Sequence, residues 1–191
     1  MSNRISTETA APRAGLCLCL VAPSGSGKST TAQLIRDWLL ARGHSVEVVK
    51  LAEPLYRIQA MFYAEADIAL TPETQDQKLL ESVATHLRAI HARALADGFL
   101  RRLAASRSVG QSMRSSRRSS LITTSARAEV RAQRLAERND LSVVKDSPLD
   151  LQMARIEADY VLTNNGSLGA LEVQVDGLCR LLVGERAEAA A

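Results

Sequence analysis

The chain has 191 residues, 46% of them hydrophobic and 3% aromatic, with a formal charge of +3. That length supports one domain with a sizeable core, expected over 14–184 between tails at 1–13 and 185–191, and makes two independent domains a poor expectation. Basic and acidic residues are interspersed and stacking aromatics are scarce, which disfavours a nucleic-acid partner; no run reaches the ~18 apolar residues of a membrane span.

Polar residues and Pro12 mark the start of the chain as a loose tail. Leu16 to Val21 is a short apolar run, as expected for a strand buried on both faces of a parallel sheet. Cys17 and Cys19 alternate along it, and with Cys179 they make an odd count. They are expected as small buried hydrophobes in a reducing cytoplasm. After a glycine loop, Thr30 to Arg42 carries Leu34, Ile35, Trp38 and Leu39 at helical spacing and closes at Gly43. Val46 to Val49 reads as a second strand, which would complete a βαβ unit.

Pro54 opens a helix bearing Leu55, Ile58, Met61 and Phe62. Thr71-Pro72-Glu73 has the form of a helix start, and the apolar pattern then runs from Leu79 to Ile90. Asp97 to Leu103 suggests a further short helix. Seven serines and four arginines take 11 of the 15 positions from Ser106 to Ser120. Such a run buries too little apolar surface to order itself and is expected as a disordered loop, with Leu121 to Thr124 the one nearby candidate strand. Helices follow at Glu129–Arg138 and Leu151–Ala158, a brief extended piece at Leu141–Val144, a strand at Tyr160–Thr163, and a closing helix at Leu168–Val183.

The segment Ala22-Pro23-Ser24-Gly25-Ser26-Gly27-Lys28-Ser29-Thr30 leaves a strand and enters a helix, the context of a Walker A phosphate loop. Gly25 and Gly27 can take positive φ, so that successive N–H groups turn inward as an anion nest. Lys28 is placed to reach the β- and γ-phosphates, and the Ser29 hydroxyl to ligate Mg²⁺. Ala22 stands where the usual motif opens with glycine; alanine serves there provided its φ stays negative.

Two other groups can carry chemistry. Glu53 begins a helix after the second candidate strand, with Arg57 one turn on. Arg57 suits an acceptor phosphate and Glu53 a metal, water or hydroxyl, while the plainer reading of Glu53 is a carboxylate at a helix N-terminus. Arg127, Arg131, Arg134 and Arg138 fall on one helix face, either to clamp a triphosphate or as a solvated basic face balanced by Glu129 and Glu137. His44, His86 and His91 show no metal-ligand spacing.

Three segments together, APSGSGKST, LAEPLYRIQ and ARIEADYVLTNNGSLGALEVQV, resemble the P-loop nucleoside and nucleotide kinases. The likeness is nearest the deoxynucleoside monophosphate kinase branch, and the last segment is also similar to dephospho-coenzyme A kinase. The resemblance implies a three-layer αβα P-loop NTPase fold, with a mainly parallel sheet, helices on both faces and an Arg-bearing lid. It implies a cytoplasmic kinase that uses ATP and Mg²⁺ on a nucleotide-like small-molecule acceptor, with no membrane partner and with a homodimer left open. Lys28 and Ser29 would lie at the phosphates and Mg²⁺, Arg131, Arg134 and Arg138 in or beside the lid, Asn164 and Asn165 near the adenine, and Glu53 and Arg57 toward the acceptor.

The chain departs from that branch in one place. Where the family has a strand ending in acidic residues, this sequence has the Ser/Arg run, and no carboxylate occurs between Asp97 and Glu129. Glu53 is then the remaining candidate base. The alternatives are a divergent kinase with its carboxylate elsewhere, or a local scramble such as a shifted reading frame that leaves an ATP-binding protein with a regulatory role or little transfer activity. RNA binding through the run is a third reading.

Overall fold

The computed structural model describes residues 16–71, 74–109, 118–138, 140, 142–143 and 147–184. In chain order these form β1 (Leu16–Val21), α1 (Lys28–Leu40), α2 (Glu53–Glu65), α3 (Gln77–Ile90), α4 (Ala94–Val109), β2 (Arg118–Ser125), α5 (Ala128–Glu137), α6 (Pro148–Ala154), β3 (Tyr160–Thr163) and α7 (Leu168–Val183). The strands make one parallel sheet in the order β1-β2-β3, with Leu20 opposite Ile122 and Ile122 opposite Tyr160. A parallel sheet whose first strand runs through a glycine loop into a helix is the α/β arrangement of a P-loop NTPase.

β2 is the central strand and the main departure from the sequence reading. The Ser/Arg run contributes both its ends to regular structure, Ser106 to Val109 in α4 and Arg118 to Ser120 in β2, while 110–117 lies outside the described residues. Ser120, Ile122 and Thr124 alternate inward and are buried. Central parallel strands usually read as unbroken apolar runs, so this one is hard to see in sequence. Its hydroxyl at Thr124 is compensated by a 3.1 Å bond to Thr31 Oγ1 on α1. A buried hydroxyl with a partner costs little, whereas an orphan would cost about 1–3 kcal/mol.

The core is built on one side of the sheet. Ile35 of α1, Ile122, Leu162 of β3, and Leu171, Val175, Leu178, Cys179 and Leu182 of α7 pack together, with Leu16, Leu18 and Leu20 against them. Each fully buried aliphatic side chain contributes roughly 1.5–3 kcal/mol. Across the core edge, Trp38 Nε1 donates to Asp176 Oδ1 at 2.8 Å, and the Arg42 guanidinium lies 3.6 Å over the Trp38 ring. Helix α7 is bounded as its sequence suggests: Ser167 Oγ accepts from Ala170 N–H, and Gly184, at φ 78°, ends it.

On the opposite face Cys17, Cys19 and Val161 are exposed. The expectation of three buried cysteines therefore holds for Cys179 alone, and β1 is covered on one face rather than two. The cause is visible in the alternation: the leucines of LCLCLV take the core side and leave the thiols the other. Burial pushes the Cys19 thiol up, with the neighbouring Cys17 adding to the shift, and it pushes Cys179 up to about 11.

Val46 to Val49 is not a strand. Residues 44–50 pair with no strand, Val48 is 47% exposed, and β1 bonds to β2 instead. A strand needs a partner edge, and apolar alternation over four residues does not supply one. The carbonyls of Lys50 and Leu51 are taken by Arg102 Nη2 of α4, at 2.9 and 3.4 Å.

The start of α3 also moves. Asp76, not Thr71, is its N-cap, with Oδ1 accepting from Leu79 N–H at 3.1 Å; Pro72 and Glu73 lie outside the described residues. Asp76 succeeds because it is held in place by Tyr63 Oη at 2.7 Å and by Ser142 Oγ. Ser142 supplies only an isolated bridge to Asp76, and Leu141 and Val144 of the expected extended piece are not described. Helix α6 ends at Ala154 rather than Ala158, while α4 is longer than expected at both ends.

Candidate active site

The loop between β1 and α1 has the backbone its sequence calls for. Gly25 and Gly27 have φ of 77° and 91°, a region that side chains enter at a cost of about 1–3 kcal/mol. Both also need their bareness for space. A Cβ on Gly25 would stand 2.8 Å from the Arg131 carbonyl oxygen, and one on Gly27 2.2 Å from Asn164 Nδ2. Ala22 is buried and has no positive φ, so its place at the strand exit is compatible with the loop. Gly27 is the N-cap of α1, and Thr31 seals it by donating from N and Oγ1 to the Gly27 carbonyl at 2.9 and 3.0 Å.

Helix α5 lies directly on this loop. Arg131 Nε donates to the Ser24 carbonyl at 2.9 Å, and its Nη2 to Asp150 Oδ2 at 2.9 Å. Asp150, on α6, accepts the Ser24 N–H on its other oxygen at 3.0 Å. Arg134 donates to the Asn164 carbonyl and to Asn164 Oδ1, at 3.0 and 3.2 Å, and Asn164 Nδ2 donates to the Ser26 carbonyl at 3.0 Å. Arg138 reaches away from the loop to Asp140, which is 2% exposed, and to Gln75. The repulsion expected along an arginine face is thus relieved at Arg131, Arg134 and Arg138, each of these guanidiniums having its own acceptor. Arg127 is the N-cap of α5 and is exposed; its N–H donates to Asn165 Oδ1 at 2.7 Å.

Asp150 is the residue that sequence reasoning missed. It is placed at the loop by α6, whose N-cap Ser147 accepts the Leu149 N–H and donates to Glu81 of α3. The short Ser147-Pro148 helix start was the available signal, but nothing local points α6 toward a loop 126 residues away in the chain. The Lys28 side chain is solvent-accessible yet surrounded by protein. Burial pushes its ammonium below the usual value, and Asp150 is the carboxylate that opposes that shift.

Glu53 stands elsewhere. It is the first residue of α2, half-buried, and its charge acts on Tyr56. The Tyr56 phenol is pushed up by burial first, against the opposing pull of Arg138, with Glu53 adding to the rise. Arg57 is exposed and borders a cavity of about 440 Å³ between α2, α3 and α4. A second cavity, about 200 Å³, lies beside the loop and is lined by Gly27, Thr30, Arg134, Asn164, Gly166 and Leu168. Ser29 and Thr30 are exposed on the first turn of α1.

Two observations fit this loop to an anionic ligand. Ser26 Oγ is buried without a hydrogen-bond partner, and a carboxylate, Asp150, already uses one of the loop's N–H donors. Among the described residues no group of three His, Cys, Asp or Glu could hold a metal on protein ligands alone, and no helix is long and apolar enough to cross a membrane.

No family model matches the chain, and no curated protein does. Among solved structures it is similar to the APS kinase CysC of Mycobacterium tuberculosis, determined in complex with AMPPNP and APS. That likeness has 19% identity and a TM-score of 0.43, over 91% of this chain and 99% of the other. At that level it decides nothing about the reaction of this chain.

Proposed function

We propose that the protein is an ATP-dependent phosphotransferase acting on a nucleotide, in first place a (deoxy)nucleoside monophosphate, or on a similar small phosphorylated acceptor. The observation that carries the reading is the convergence on one loop of two positive-φ glycines, Lys28, Arg131 and Asp150. ATP bound there with Mg²⁺ supplies the phosphoryl group and neutralises its charge.

The residues divide the remaining work. Backbone N–H groups of Ser24 to Ser29 and the α1 N-terminus cradle the phosphates, and an anion beside Lys28 opposes the burial that lowers its pKa, as Asp150 already does. Arg131 and Arg134 are tied to the loop from α5 and stabilise charge at the transferring group. Arg138 braces the far end of that helix through Asp140. Ser29 would offer a metal ligand, and Asp150, held beside the loop by the Ser24 N–H and Arg131, is a carboxylate available for an acceptor hydroxyl. Asn164, with Asn165 behind it at the α5 entry, shapes the 200 Å³ cavity assigned to the base. Glu53 and Arg57 belong to the acceptor side.

A second reading is an ATP-binding regulator with little transfer, favoured by the Asp150 carboxylate occupying a loop donor. Coupled ADP release across a panel of nucleoside monophosphates, beside direct ATP binding, separates the two. Acceptor-dependent release is expected, and Lys28→Ala should lower it about 10²–10³-fold while leaving the melting temperature unchanged. Binding without any acceptor-dependent release selects the regulator; wild-type turnover in Lys28→Ala overturns both.

A further inference from the structure

The cavity between α2, α3 and α4 gathers positive charge, and among the described residues none that line it is acidic. Arg57 comes from α2, and Arg101 and Arg102 from α4. The nearest carboxylate on α4, Asp97, is already bonded to Arg93 at 3.1 Å. Three guanidiniums around one space repel one another, and folding tolerates that arrangement when solvent or an anion screens it.

The geometry also leaves donors free. Arg102 spends Nη2 on the Lys50 and Leu51 carbonyls, while its Nε is buried with no partner. Gly98 keeps the space between the two α4 guanidiniums open: a Cβ there would lie 3.6 Å from Arg102 Nη1 and 3.8 Å from Arg101 Nη2. Pro54, Ile58, Leu87 and Leu95 add an apolar lining to the cavity. Its volume, about 440 Å³, lies within the range of small-molecule sites and well above what a lone phosphate needs.

We infer that this cavity binds a phosphomonoester carried on an apolar body, the phosphate meeting Arg57, Arg101 and the free N–H groups of Arg102. As an acceptor site it rests on the kinase reading above and extends it by two residues and a ligand class; as an anion site it stands by itself. Arg102 has a second task in holding residues 50 and 51, so the decisive substitutions are at the other positions.

The probe is phenyl phosphate, titrated calorimetrically into the full chain without nucleotide. Binding is expected in the wild type and in Lys28→Ala, which excludes the phosphate loop as its place. Arg57→Gln and Arg101→Gln should each weaken it about tenfold or more, the scale of one hydrogen bond to a charged group. Gly98→Leu, which fills the space beside the two guanidiniums without changing the net charge and removes a helix-weakening glycine, should abolish it while the protein stays folded. No binding to the wild type, or binding indifferent to all three substitutions, or binding lost in Lys28→Ala alone, overturns the inference. Cavity binding without acceptor-dependent ADP release keeps the site and removes the kinase reading. ADP release whose acceptor KM ignores Arg57→Gln, Arg101→Gln and Gly98→Leu keeps the kinase and removes the site.

Discussion

The sheet with α1 and α7, and the group α2 to α4, are held together by different physics. The first concentrates its aliphatic side chains: Ile122 is 0% exposed, Leu171 1% and Val175 2%. Among the described residues the second buries only Leu55 and Ala84 of its hydrophobics and leaves Met61, Phe62, Ile90 and Leu100 at half exposure or more. Its cohesion is polar. Gln59 bonds both the Thr74 carbonyl and the Asp76 N–H, Tyr63 and Ser142 bond the Asp76 carboxylate, and Ser147 bonds Glu81. Packing in a dry core gives one arrangement, whereas hydrogen bonds near water contribute about 1 kcal/mol each and exchange with solvent. The phosphate loop sits on the packed part, and the arginine-lined cavity sits in the polar one.

The largest test of that contrast is a matched pair of core truncations. Ile122→Ala should lower unfolding stability by about 2–5 kcal/mol, and Leu55→Ala by clearly less, because the site around Leu55 can relax toward solvent. Equal losses by chemical denaturation would erase the distinction between the two parts.

Gly27→Ala probes the packed part at its functional edge. Positive φ and the close Asn164 amide act together, so the substitution should cost about 1–3 kcal/mol and loosen the Asn164 contact to Ser26. ATP binding is expected to fall with it. An unaltered affinity would show that the loop can re-form without its present backbone.

Asp76→Ala addresses the polar part and should cost about 1 kcal/mol, the usual value of an N-cap. The pH dependence follows from the same carboxylate. Burial would raise its pKa, but the hydrogen bonds from Ser142, Tyr63 and the Leu79 N–H outweigh that and leave it below the ordinary value. A depressed folded-state pKa means stability that is present above the unfolded value, near 4, and lost as pH falls through the folded one. The far-ultraviolet circular dichroism of the wild type in acid should therefore lose α3 earlier relative to pH 7 than that of Asp76→Asn, whose profile should be flatter in that window.

The smallest effect concerns the thiols. Cys17 and Cys19 are exposed while Cys179 is 1% exposed and raised to about 11. A thiol reagent at pH 8 should label two cysteines in the native protein and the third only on unfolding. Rapid labelling of all three would mean that α7 opens more readily than a packed core permits.

Local sequence determined a good deal of this molecule. Leu16–Val21, Tyr160–Thr163 and Leu168–Val183 form at the residues where apolar pattern, Ser167 and Gly184 place them, and Gly25 and Gly27 take the positive φ that a phosphate loop requires. These are short-range matters: period, caps and steric freedom at single residues decide them. Tertiary structure decided the rest. Ser120 and Thr124 look too polar for a central strand until β1 and β3 offer edges on both sides and Thr31 accepts the Thr124 hydroxyl. Val46–Val49 looks like a strand but pairs with none, and β1 bonds β2 instead. Asp150 became part of the loop through a contact spanning 126 residues, and Arg57, Arg101 and Arg102 share a cavity only because α2, α3 and α4 pack together. Pairing and charge convergence are properties of space rather than of spacing, which is why the phosphate loop was legible in the chain and its carboxylate was not.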